Sequence, residues 1–111
     1  MKPWGSELLL RLTRDYAVKV LRIRAGCRLS LQYHQFKHET LQIGSGHAVL
    51  ELLHDGHTER HTMEQPVDVP PGTIHRVVAI EDCEIVEVSS TELDDVVRLE
   101  DDYGRAGTAT E

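Results

Sequence analysis

At 111 residues the chain has room for one domain around one core. Nineteen acidic residues against twelve basic give a formal charge of −7 with His neutral, which argues against sequence-independent binding to nucleic acid. No apolar run is long enough for a membrane span and no signal-peptide pattern is present, and Cys27 and Cys83 are isolated, so a cytoplasmic protein with reduced thiols is expected.

In chain order the sequence predicts short strands over residues 7–12, 16–24, 28–34, 39–45, 48–54, 58–63, 67–69, 75–80 and 84–89. Turn signals separate them at Gly26, at Gly44-Ser45-Gly46, at Asp55-Gly56 and at Pro70-Pro71-Gly72. Helical periodicity enters only over 91–99, where Ser90 or Thr91 offers a cap. The small, polar segment 106–111 reads as a disordered tail after a single domain over 1–105.

Alternation assigns the faces. On the second strand Lys19, Leu21 and Ile23 are expected to point inward, because Arg22 and Arg24 need water. On the third, Arg28, Ser30, Gln32 and His34 share one face. Leu29, Leu31 and Tyr33 form an apolar stripe on the other, which calls for cover by a second copy of the chain. A homodimer is therefore expected.

The densest information lies in a spaced set. Gly26, Gln32, His34, Glu39 and Gly46 are followed by Pro70, Gly72 and His75. Gln32, His34, Glu39 and His75 together offer one amide oxygen, two imidazoles and one carboxylate. That donor set suits one divalent transition metal, with Zn, Mn, Fe, Co and Ni all compatible. Gln32 and His34 lie two apart, so on a strand they face the same way, and the Pro70-Pro71-Gly72 turn aims His75 from a distant strand. Four ligands from three strands converge only inside a closed or sandwiched sheet. His38, His47, His54, His57 and His61 fall on hairpins and read as solvated surface residues.

These two spaced motifs resemble those of the cupin superfamily, with Gln32 where a first His is usual, Glu64 where a Gly is usual and Ala79 where an Asn is usual. The resemblance narrows further. Lys2-Pro3-Trp4-Gly5, Val18-Lys19, the run from Arg28 to Glu39, His75-Arg76, Val86-Glu87-Val88 and the stretch from Asp94 to Arg105 are similar to the C-terminal cupin domain of mannose-6-phosphate isomerase/mannose-1-phosphate guanylyltransferase enzymes. Leu41 stands where that family has a tryptophan, and the segment from Ser89 to Asp94 is shorter than usual. The resemblance implies an all-β, single-domain jelly-roll β-barrel with a short C-terminal helical segment. It also implies a metal-dependent aldose–ketose isomerase working through a metal-stabilised cis-enediolate, with a sugar phosphate as the small-molecule substrate. Candidate catalytic groups are Glu87 and Lys37, and candidate substrate contacts are Lys19, Arg28 and Lys37. Arg76, alternating outward from His75, is expected in a structural ion pair. Two other classes stay open: a non-catalytic sugar- or small-molecule-binding module, and an iron-dependent dioxygenase, against which Gln32 in the first ligand slot argues.

Overall fold

The computed structural model describes residues 2–109. Among the described residues there are eleven strands and no helix: β1 (Gly5–Leu12), β2 (Ala17–Ile23), β3 (Leu31–Tyr33), β4 (Glu39–Ser45), β5 (Ala48–His54), β6 (His57–Thr62), β7 (Val67–Val69), β8 (His75–Ala79), β9 (Cys83–Ser89), β10 (Val96–Glu100) and β11 (Gly107–Ala109). They form two antiparallel sheets, one ordered β1-β2-β9-β4-β7 and the other β11-β10-β3-β8-β5-β6.

The core lies between the two sheets. Leu21, Ile23, Leu41 and Ile85 from the first meet Leu50, Val77 and Ala79 from the second. On β9 the alternation is clean: Cys83, Ile85, Glu87 and Ser89 are buried, while Glu84, Val86 and Val88 lie outward. Side chains buried to the extent of Leu50 and Ile85 stabilise the fold by about 1.5–3 kcal/mol each. The β5–β6 hairpin turns on Asp55 and Gly56 with φ of 47° and 80°, the two left-handed residues of a type I′ turn. Gly46 ends β4 with φ of 79°, and a Cβ there would lie 2.1 Å from the Asp82 carbonyl oxygen. That position therefore excludes a side chain.

Three expectations are corrected. The segment 91–99 is not helical: residues 91–95 turn, and Val96–Glu100 forms β10, antiparallel to β3. The adjacent β-branched Val96 and Val97 favour a pleated strand, and the backbone groups of β3 supply its ladder. The tail expected from 106 is partly ordered, because Gly107–Ala109 pairs with β10, while Thr110 and Glu111 lie outside the described residues.

The third correction concerns the strand expected over 28–34, which shortens to β3. Arg28 bridges Val78 whereas Gln32 pairs with His75, so four steps on one chain oppose three on the other. The extra residue reverses the alternation. Arg28 therefore leaves the inner face, and Leu29 packs against the core instead of lying on an outer stripe.

Candidate metal centre

His34 follows β3 directly, Glu39 opens β4 and His75 opens β8, so each comes from a strand end at the same end of the barrel. The Pro70–Gly72 turn brings them together. Gly72, at φ of 84°, donates its amide to the His34 carbonyl at 2.8 Å. All three side chains are buried, and their ligand atoms lie within 4.8 Å of one another. His34 Nε2 is 3.3 Å from Glu39 Oε1, and His75 Nε2 is 3.2 Å from the same oxygen.

The other ring nitrogens fix the tautomers. His34 Nδ1 donates to the Asp95 carbonyl at 2.5 Å, and His75 Nδ1 to the Thr73 carbonyl at 2.8 Å. A neutral imidazole whose Nδ1 carries the proton presents a lone pair at Nε2. With both rings neutral, two such lone pairs converge on one carboxylate oxygen, with acceptor facing acceptor. A cation among the three converts that repulsion into coordination, so the donor set fits a divalent metal, and the carbonyls behind each imidazole supply its outer shell.

Gln32 is the register partner of His75 and accepts a 2.6 Å hydrogen bond from Ser30 Oγ on its amide oxygen. It lines a cavity together with His34. The turn at Asp95 secures the His34 loop from outside. Its carboxylate accepts from the amides of Gln35, Phe36 and Lys37 at 3.0, 2.6 and 2.8 Å. Partial burial works to raise the Asp95 carboxyl, but the three amides outweigh it and hold it below the usual range.

Buried charges continue inward. Lys37 Nζ lies 3.4 Å from Glu39 Oε2 and 3.3 Å from Glu87 Oε2. Burial favours the neutral form of Glu39, but hydrogen bonds from the two imidazoles, donated when their rings carry both protons, and the Lys37 ammonium together hold its carboxyl well below the ordinary carboxylate range. Glu87 goes the other way. Burial first, then the neighbouring Glu39 charge, push it up to about 7 against the pull of Lys37 and Lys19. Two adjacent carboxyls with opposite shifts allow one to stay ionised while the other exchanges protons near neutrality.

Lys19 is buried on the inner face, as expected, and its Nζ donates to Glu7 Oε1 at 2.9 Å. Arg28 is not brought to the site: it is 43% exposed and grips Asp102 through two bonds of 2.7 and 2.8 Å. Arg76 is buried, but it bonds the carbonyls of Leu29 and Glu100 at 3.1 and 3.3 Å rather than forming the expected ion pair. Burial, with the nearby Arg28 charge, lowers its pKa.

Sequence reasoning missed Glu7, Arg98 and Arg105, which line the same cavity. Arg98 is the register partner of Gln32, a position visible only once β10 is a strand. The signal that could have found it is the alternation through Val96, Arg98 and Glu100. His38, His47, His54, His57 and His61 are all exposed, in line with the sequence.

Residues 1–101 match the sequence profile of the family described as mannose-6-phosphate isomerase C-terminal. The alginate biosynthesis protein AlgA of Pseudomonas aeruginosa is 33% identical over 109 residues, covering 94% of this chain. The chain spans 22% of that protein's length. Among solved structures, CapF with the inhibitor 3-isopropenyl-tropolone superposes with a TM-score of 0.76 at 23% identity, over 90% of this chain and 33% of its own. An RmlC-like cupin of Desulfovibrio desulfuricans gives 0.66 at 14%, over 78% and 81%. These likenesses show the fold, an all-β cupin jelly roll. With its double-sheet barrel and with residues 1–101 under one family profile, the chain belongs to the mannose-6-phosphate isomerase C-terminal family.

Proposed function

We propose that the chain holds one divalent transition metal through His34, Glu39 and His75, with Gln32 as fourth ligand. We propose further that it interconverts an aldose and a ketose, the sugar carrying a phosphate. The observation that carries the reading is the convergence of two imidazole nitrogens on one buried carboxylate, next to a second buried carboxyl, Glu87, that burial and the Glu39 charge push up to about 7. The family relationship supplies the substrate class. A metal in this position acts as a Lewis acid toward the sugar's carbonyl and hydroxyl oxygens.

The chain's own residues do the rest. Glu87 carries the proton between adjacent carbons, because its carboxyl is near neutrality and can both take and return it. Lys37, between Glu39 and Glu87, offsets negative charge as it develops. Lys19 and Lys37 hold anionic oxygen, and Arg98 and Arg105 replace Arg28 as the cavity's guanidinium groups.

Self-association as a homodimer is part of the same reading, with the face moved from Leu29, Leu31 and Tyr33. The exposed Leu8 of β1 lies opposite Val20 and continues into Val18, Val86 and Val88 on the outward side of the first sheet. Light scattering on Leu8→Asp against the unaltered chain tests that face.

The test of the activity is conversion of mannose 6-phosphate to fructose 6-phosphate by protein loaded in turn with Zn, Mn, Fe, Co and Ni. Turnover that disappears on chelation and returns with one metal supports the reading. Absence of turnover with every metal, together with tight retention of an unconverted phosphosugar, would move the chain to the binding-module class.

A further inference from the structure

The free space in the cavity is about 40 Å³, room for water. Part of what fills it is a carboxylate from the edge strand. Glu7 presents Oε1 to Lys19 Nζ at 2.9 Å and Oε2 to Lys2 Nζ at 3.6 Å, and its side chain is only 17% exposed. Two oxygens of one anionic group thus face two ammonium groups inside a cavity whose lining also carries Lys37, Arg98 and Arg105, with Glu87 as its other carboxyl group. That is the arrangement a bound phosphate or carboxylate would take.

The placement follows from register. Glu7 pairs with Leu21 and Leu9 with Lys19, which puts both Glu7 and Lys19 on the inner face. Across β2, Lys19 pairs with Glu87, whose carboxylate is engaged by Lys37. Lys19 therefore has a carboxylate on each side and bonds the one on the edge strand. A buried ammonium needs a counter-charge, and Glu7 supplies it while no ligand is bound.

We infer that Glu7 is a tethered competitor: an anionic ligand reaches Lys19 by displacing the Glu7 carboxylate, so Glu7 sets how strongly the cavity selects for charge. The inference rests on the proposed reading that anions bind here, and it adds the residue that opposes them. Glu7 is a specificity-determining residue and takes no part in bond making. Because β1 is an edge strand, its side chain can leave the cavity without breaking a ladder on both sides.

The test is calorimetric titration of the metal-loaded protein with inorganic phosphate, and separately with neutral mannose, for the unaltered chain, Glu7→Gln and Glu7→Gln/Lys19→Met. Glu7→Gln is expected to bind phosphate at least about tenfold tighter, in line with the loss of one charge-assisted contact to be displaced. Mannose affinity is expected to stay the same. The gain must vanish in the double variant, which separates phosphate at Lys19 from phosphate at the metal. Phosphate should also raise the melting temperature of Glu7→Gln more than that of the unaltered chain, a readout that a merely structural role for Glu7 would not produce.

Equal or weaker phosphate binding by Glu7→Gln overturns the inference, including the case in which Lys19 turns onto Glu87 instead. A gain that survives Lys19→Met also overturns it. If Glu7→Gln does not fold, Glu7→Thr, which also removes the carboxylate and suits a strand, provides the same comparison. Phosphate binding as stated without sugar-phosphate conversion would refute the isomerase reading alone.

Discussion

The inside of the barrel divides into two halves that the same strands build. At one end β2 contributes Leu21 and Ile23, β9 Cys83 and Ile85, β8 Val77 and Ala79, and β4 Leu41, all buried and apolar. At the other end those strands contribute Lys19, Glu87, His75 and Glu39, equally buried and ionisable. The two halves carry opposite energetic signs. Apolar burial stabilises the fold directly, whereas each buried charge is a cost that only a partner offsets. The apolar end therefore bears the stability, and the polar end can be spent on chemistry.

Breaking the polar half at its ligands should give the largest effect. His34→Ala or His75→Ala should remove stoichiometric metal, with an affinity loss beyond the roughly 10–100-fold that follows removal of an outer-shell partner. Equilibrium dialysis with elemental analysis reads it, while circular dichroism should still report a folded sheet. In the apolar half, Ile85→Ala should cost about 2–5 kcal/mol of unfolding free energy in urea, with metal stoichiometry retained per folded molecule. If Ile85→Ala abolished metal binding in the folded protein, the halves would not be separable.

The pH dependence sharpens the comparison. Glu87 is raised in the folded state to about 7, so folded protein holds its proton when the unfolded chain has lost it. Its contribution is fully present below the unfolded carboxyl range, and it is lost as pH rises toward and through 7. In metal-free protein, Glu87→Gln should therefore gain stability relative to the unaltered chain as pH is raised from about 4.5 to 8. Parallel stability–pH curves for the two would refute the assignment. The smallest effect belongs to Arg28→Ala. It breaks an exposed pair with Asp102 and should cost less than about 1 kcal/mol, leaving phosphate affinity unchanged.

Much of this division was legible in the sequence. Alternation on β2 put Lys19 on the same face as Leu21 and Ile23, and the spaced motif gathered His34, Glu39 and His75 before any strand order was known. Failures arose where a partner decides. Arg28 was misplaced because an inserted residue in one strand is defined only against the strand it pairs with. The segment 91–99 looked helical because a capping serine or threonine stands at its start, while its ladder with β3 is non-local. Glu7 gave no local signal at all, since its role is defined by Lys19 twelve residues away and by the edge position of β1.

The Asp95 turn has a consequence for how the site can be watched. One residue holds His34 through its carbonyl and the amides of Gln35, Phe36 and Lys37 through its carboxylate. The ligand loop and the approach to β10 are therefore fastened to one another at Asp95. With a metal held as proposed by His34, Glu39 and His75, those three amide protons would be an intrinsic gauge of its occupancy. Their hydrogen exchange should slow when metal draws His34 toward Glu39, and a partly loaded sample should show two exchanging populations in proportion to its metal content.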